Sequence, residues 1–122
     1  MSLAQFGAEG EALAADYLVA KGYRVLGRNI RTPLGEIDLL CARHRTLVFV
    51  EVKTRTSHAF GPPEAAITPT KQRRLMRVAE WFSAHHDEYR RWPHTIDVVA
   101  ITRRPDAAAE IVHLPNVVGA AW

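Results

Sequence analysis

The stretch that most restricts what this chain can fold into runs from Gly35 to Arg55. Two apolar runs, Glu36–Ala42 and Thr46–Thr54, are joined by Arg43-His44-Arg45, and charged residues interrupt them at alternate positions. A connection this short joins neighbouring antiparallel strands, so the segment reads as a β-hairpin. Side chains alternate along a strand, which puts Glu51 and Lys53 on one face and Val48, Val50 and Val52 on the other. In the preceding strand Glu36 and Asp38 share a face, opposite Ile37, Leu39 and Cys41. A slip of one residue would set carboxylates among the valines, and burying unpaired charge costs several kcal/mol or more. The expected register therefore keeps the apolar sets together, with Asp38 beside Glu51 and Glu36 near Lys53.

That register gathers carboxylates and an ammonium at one end of the hairpin. Like charges directly opposed in a sheet repel, and a bound cation relieves the repulsion. A few carboxylate oxygens suit Mg²⁺ or Mn²⁺, which keep several waters and accept phosphate oxygens as further ligands. Lys53 would then face a scissile phosphate, stabilising developing charge or orienting the attacking water. The plainer alternative is a Glu36–Lys53 cross-strand ion pair, with Asp38 and Glu51 solvated at strand ends. E-x-K alone is a weak pattern. The aspartate at the matching position of the adjoining strand is what strengthens it.

Around the hairpin, Leu3, Phe6, Leu13, Ala14, Tyr17 and Leu18 recur at helical spacing, and Gly22 ends a first helix that begins at Leu3. Tyr23–Ile30 reads as a strand, and Thr32-Pro33-Leu34-Gly35 as a turn. Thr68-Pro69 is an N-cap followed by proline at the first helical position. The helix it opens runs to about Tyr89 and buries Leu75, Val78, Ala79 and Phe82. Thr95–Thr102 is a buried strand interrupted by Asp97, a candidate polar support, and Glu110–Leu114 a short edge strand. The order α-β-β-β-α-β-β predicts an α/β fold, a mixed sheet flanked by helices, as one domain over residues 1–122. Glu11 lies at the margin of the first helix's apolar stripe, open to two readings: a solvated residue, or a further acid leaning toward the site. Lys71, Arg73, Arg74 and Arg77, with Arg55 at the end of the hairpin, are candidate phosphate contacts, though solvated basic helix faces are common. Gln72, near the helix start, would reach a phosphate or a metal-bound water, or simply occupy the first turn.

Composition narrows the classes further. A formal charge of +3 is a mild basic bias, compatible with a polyanionic partner. No segment approaches the ~20 apolar residues that span a bilayer, and the N-terminal residues lack a secretory pattern, so a cytoplasmic protein without membrane contact is expected. The single Cys41 excludes an internal disulfide and a thiolate metal site, and its apolar surroundings predict a small core residue. The histidines show no metal-ligand spacing, and the His85-His86 pair is expected at the surface. There is no P-loop, Rossmann glycine pattern or serine elbow.

Several motifs occur together: Gly7-x-x-Gly10-Glu11, Tyr17-Leu18, Gly22-Tyr23, Asn29, Arg31, Gly35-Glu-Ile-Asp-Leu39, Phe49-Val-Glu-Val-Lys-Thr-Arg55, Phe60-Gly61 and Lys71-Gln72. In combination they closely resemble the YraN-like family of bacterial proteins, over nearly the whole chain. That family is similar to archaeal Holliday junction resolvases and to the PD-(D/E)xK, restriction-endonuclease-like superfamily. The resemblance implies a metal-dependent endonuclease acting on DNA rather than RNA, with branched or damaged DNA among the expected substrates and Asp38, Glu51 and Lys53 as its catalytic signature. It implies Mg²⁺ or Mn²⁺ held by Asp38, Glu51 and the carbonyl of Val52, with Glu11 matching the helix-one glutamate of resolvases. Gln72 falls where related nucleases place a polar residue. Glu36 belongs to the GEID pattern of the YraN-like family itself and is a further candidate ligand. Thr95-Ile96 stands where that family often has arginine-phenylalanine. An enzyme cutting both strands of a branch is expected to be a homodimer. The rival expectations are a binding module that keeps the fold without cutting, and an interaction subunit exposing an apolar patch around Trp81, Trp92 or Val117–Trp122.

Overall fold

The computed structural model describes residues 2–59 and 61–118. Its elements are α1 (Leu3–Ala20), β1 (Arg24–Thr32), β2 (Gly35–Arg43), β3 (Thr46–Arg55), α2 (Pro69–His85), β4 (His94–Thr102) and β5 (Glu110–Leu114). The expected order and the mixed α/β sheet are both present. The strands lie in the order β1-β2-β3-β4-β5, with β3 and β4 parallel and every other neighbour antiparallel. A parallel pair needs a long crossover, and α2 supplies it.

Local chemistry sets the element ends. Ser2 and Gln5 form a reciprocal capping box at the start of α1, and Gly22, at φ 96°, turns the chain into β1. The Thr68 hydroxyl accepts the Lys71 N–H at 3.2 Å, with Pro69 at the first helical position. The hairpin turn is tighter than the three-residue link read from sequence. β2 ends at Arg43 and β3 starts at Thr46, leaving His44 and Arg45 at φ 51° and 57°. Positive φ at both central residues is the type I′ geometry that matches strand twist. The second helix stops at His85 rather than near Tyr89. The rings of His85 and His86 stack on Trp81 and Phe82, and a separate 3₁₀ turn covers Asp87–Tyr89. His85 is exposed as expected, while His86 is half-buried.

Both faces of the sheet are covered. On the α2 side Ile37, Leu40, Phe49, Ile96 and Val98 pack under Leu75, Val78 and Phe82. On the α1 side Leu39, Cys41, Val48, Val50, Val99 and Ile101 pack under Ala14, Ala15 and Leu18. Cys41 is fully buried, and burial pushes its thiol up to about 12. Asp97 is the polar support anticipated in β4: it accepts from Thr95 Oγ1, from Asn116 N–H and, at 2.7 Å, from His113 Nε2. Trp81 and Trp92 are partly buried against the α2-side core, and Val117 is fully buried. Phe60 and residues 119–122 lie outside the described residues. Among those described, no helix is long and apolar enough to cross a membrane.

Alternation in β2 is broken. Ile37 packs toward α2 while Leu39 and Cys41 pack toward α1, although simple period-two reading puts all three on one face. The reversal falls at Asp38. Across from it, β1 carries Asn29 at φ 50°, between the pairs Arg28–Leu39 and Ile30–Ile37.

One glycine seats α1 on the sheet. A Cβ on Gly10 would lie 2.0 Å from Thr54 Oγ1 and 3.0 Å from its Cβ, so helix and strand touch there without room for a methyl group. Gly10→Ala is expected to cost about 1–3 kcal/mol by overpacking, and adding Thr54→Ala should recover most of the loss. Urea denaturation of the single and double variants checks this; a Gly10→Ala protein as stable as wild type would contradict the close approach.

Candidate active site

The β2–β3 ladder is regular from Arg43–Thr46 to Leu39–Val50 and stops there. The next pair in register is Asp38 with Glu51, as the sequence predicts, but it is not zipped. Asp38 Oδ2 instead accepts the Val52 N–H at 2.8 Å, so a side chain takes the place of a backbone partner. The strands part around a small cleft lined by Glu36, Ile37, Asp38, Phe49, Val50, Glu51, Leu75 and Val78. Its free space is about 10 Å³, close to the ~10–15 Å³ that one water needs.

Three glutamates surround Asp38. Burial pushes its carboxyl up to about 6; the Val52 N–H opposes this, and the negative charges of Glu11, Glu51 and Glu36 add to it. Glu11 comes from α1, whose close seating on Thr54 at Gly10 places the next residue at this end of the sheet. Asn29 joins two of the acids. With its amide NH₂ turned toward them, it donates to Glu11 Oε2 at 3.1 Å and Glu36 Oε1 at 3.3 Å. Glu36 therefore faces Asn29 and makes no ion pair with Lys53 among the described residues, which removes the cross-strand pair considered from sequence. The physical reason is the opened ladder: beyond Leu39 the two strands no longer hold their side chains opposite one another.

Glu51 has a different partner. Arg74 of α2 reaches it, Nη2 to Oε1 at 3.1 Å. Gly35, at φ 148°, lies under the same helix: a Cβ there would crowd Val78 Cγ2 at 3.1 Å, while Arg74 Nη1, at 3.7 Å, would be in ordinary contact. Lys53 is exposed at the strand end. Among the described residues Lys53 forms no ion pair, and no three His, Cys, Asp or Glu side chains gather closely enough to hold one metal ion.

The other candidates separate. Arg73 and Arg77 are exposed on α2, with Arg73 Nη2 donating to Thr70 Oγ1 at 3.3 Å. Lys71 and Gln72 are half-buried in its first turns, and no contact joins Gln72 to Asp38 or Glu51 among the described residues. Arg55 turns inward: Nη1 donates to Gly61 O at 2.9 Å, while Nε and Nη2 are buried without a hydrogen-bond partner among the described residues. Asn29 and the Arg74–Glu51 pair were not visible as site features in sequence. The only signals were Asn29 as a motif residue and Arg74 as one of several basic helix residues.

The model of the uncharacterised protein family UPF0102 matches residues 10–101, a span that contains the acidic cluster and Arg74. The chain belongs to this family. It is the YraN family whose motifs the sequence resembles. Among curated relatives, a UPF0102 protein of Beutenbergia cavernae is 49% identical over 111 residues, covering 91% of this chain and 93% of its own. One from Syntrophotalea carbinolica is 45% identical over 110 residues, covering 90% and 88%. One from Mycobacterium bovis is 43% identical over 123 residues, covering 96% and 94%. The family's description names no reaction, so for UPF0102 members the chemistry has to come from the site.

The raised pKa of Asp38 has a sign that can be checked. A carboxyl that ionises near 6 when folded and near 3.8 when unfolded favours the native state below 3.8 and loses that contribution as pH rises through about 6. At neutral pH the ionised Asp38 therefore opposes folding. Asp38→Asn keeps an acceptor for the Val52 N–H and removes the charge. It is expected to be more stable than wild type at pH 7, with the gap closing toward pH 4. Thermal melts of both proteins across that range test this; equal stability at pH 7 would show that burial and the neighbouring carboxylates do not oppose the ionised Asp38.

Proposed function

We propose that this chain is a divalent-metal-dependent phosphodiesterase that cleaves DNA. The observation that carries the reading is Asp38, a carboxyl held at the opened end of the hairpin among Glu11, Glu36 and Glu51 and pushed up to about 6. Burial is the larger cause and the three negative neighbours add to it, and a cation relieves such a carboxylate as well as a proton does. The donor set is hard oxygen throughout: Asp38, Glu51 and the Val52 carbonyl, with Glu11 and Glu36 as outer acids. Such a set suits Mg²⁺ or Mn²⁺, which keep waters and take further ligands from substrate phosphate, and it needs fewer than three side chains on one ion. When bound, the ion would supply a water of lowered pKa and a neutralising charge for phosphate oxygens.

The chain's own residues have separate tasks in this reading. Asp38 is positioned by the Val52 N–H. Lys53, two residues from Glu51 and exposed, presents an ammonium to the phosphate and stabilises charge that develops there. Arg74 holds Glu51 and, were a cation to neutralise that carboxylate, would be available to a phosphate. Arg73, Arg77 and Lys71 extend the same basic face. The choice of DNA follows from the resemblance to junction resolvases, as does the expectation of a homodimer for a branched substrate.

The Glu51–Arg74 pair favours one rival, a nucleic-acid-binding module whose acid is already neutralised by protein and which never takes a metal. Titration calorimetry with Mn²⁺ separates the two. Saturable binding to wild type, lost in a folded Asp38→Asn, Glu51→Gln double variant, supports the metal site; equal weak binding in both, with and without a short duplex, supports the module. Arg74→Ala removes a competitor worth about 0.2–1 kcal/mol for an exposed pair, and is expected to tighten Mn²⁺ binding about two- to fivefold while weakening DNA binding. Lys53→Ala should fold normally and lose DNA cleavage, and undiminished cleavage in a clean preparation would remove Lys53 from the chemistry.

A further inference from the structure

β3 and β4 are the parallel pair of the sheet, and their carboxyl ends form the kind of edge at which α/β proteins place ligands. On the α1 side of that edge lies a second and larger hollow, about 350 Å³, lined by Phe6, Thr56, Arg103, Arg104 and Pro105. Arg103 extends the parallel pairing, its N–H donating to Arg55 O at 2.8 Å, so the hollow is continuous with the strand that carries Glu51 and Lys53. Thr56 directly follows β3; Lys53 projects with Phe49 and Glu51 to the α2 side, so a DNA strand that reaches both Lys53 and the hollow passes around the carboxyl-end edge of the sheet.

Its chemistry differs from that of the acidic site. The Arg103 guanidinium carbon lies 5.5 Å from the centre of the Phe6 ring, and its Nη1 donates to Glu9 Oε2 at 2.5 Å. The ion pair with Glu9 holds the guanidinium beside an aromatic ring. Arg104 is exposed, and the nearest carboxylate oxygen, from Glu110, is 3.9 Å away. The first turn of α1 adds the positive end of its dipole. A flat apolar surface, an ordered guanidinium plane and a more exposed arginine are the parts that bind a base and its phosphate in single strands. A base still paired in a duplex does not present its face to such a surface. Glu9 offsets part of the Arg103 charge, which suits a single phosphodiester better than a dense polyanion.

We propose that this hollow is a subsite for one unpaired nucleotide of the DNA substrate, its base against Phe6, Pro105 and the Arg103 plane and its phosphate on Arg104. The subsite rests on the nuclease reading above and sharpens it: the substrate carries a single-stranded flank next to the point of cleavage. Phe6 and Arg104 set which DNA is held and take no part in bond breaking.

The test is fluorescence anisotropy of labelled DNA with Lys53→Ala protein in Mn²⁺, where strands are bound but not cut. A blunt duplex and the same duplex with a short single-stranded tail are compared. The tailed duplex is expected to bind about tenfold more tightly, the order expected of one stacked base. Phe6→Leu and, separately, the surface change Arg104→Ala should each remove most of that preference while leaving blunt-duplex affinity and thermal stability unchanged. If blunt and tailed duplexes bind equally well, or if both variants keep the preference, the subsite is overturned while the nuclease reading stands. If neither DNA binds and Mn²⁺ does not bind either, the nuclease reading fails and the subsite with it.

Discussion

The hydrogen bond from the Val52 N–H to the Asp38 carboxylate divides the central hairpin into two regions with different physics. Toward the His44-Arg45 turn the strands are zipped and apolar on both faces, and their amides are satisfied by each other. Beyond Leu39–Val50 the amide facing β2 is satisfied by a side chain, so the strands part without leaving a buried donor unpaired. The gap that results is where charge collects. A fully zipped ladder would direct these carboxylates across from one another with no backbone donor available to hold any of them.

Positioning of that charge depends on close packing some distance away. α1 approaches β3 because residue 10 is glycine, and α2 approaches the start of β2 because residue 35 is glycine. The first contact delivers Glu11 to the cluster; the second seats Val78 of α2, one turn from the Arg74 that reaches Glu51. The two helices thus act oppositely on the same end of the sheet, one adding negative charge and the other removing it. A site balanced in this way is sensitive to any further cation or anion that enters.

Most of the framework was legible because its determinants are local. The Thr68-Pro69 cap, the Gly22 stop and the alternating apolar residues of β3 each act within a few positions. The β2–β3 register could be chosen from the sequence because a slip would bury charge, and the register found is the one expected. What escaped the sequence depends on contacts made after folding. Reversal of alternation at Asp38 lies opposite the left-handed Asn29 on the neighbouring strand. Arg74 meets Glu51 across 23 positions. Asp97 was recognisable as out of place among valines, but its partners His113 and Asn116 lie across the sheet or beyond its last strand. The end of α2 was overrun because Asp87–Tyr89 continues in a helix-like turn, and the period of the pattern does not register the break.

β1 is an outermost strand, and Asn29 has a consequence there beyond the two glutamates it holds. An unpaired strand edge invites a foreign strand to add to the sheet, and proteins resist this with charges and local kinks. β1 has both: Arg24, Arg28 and Arg31 are exposed along it, Asn29 turns the backbone left-handed midway, and the pairing shifts between Val25 and Gly27. A straight incoming strand would keep step with only part of that edge and would bring its own backbone against cationic side chains. These are the devices by which an edge strand resists the addition of a foreign strand. The residue that donates to Glu11 and Glu36 thus also kinks the exposed edge of the sheet.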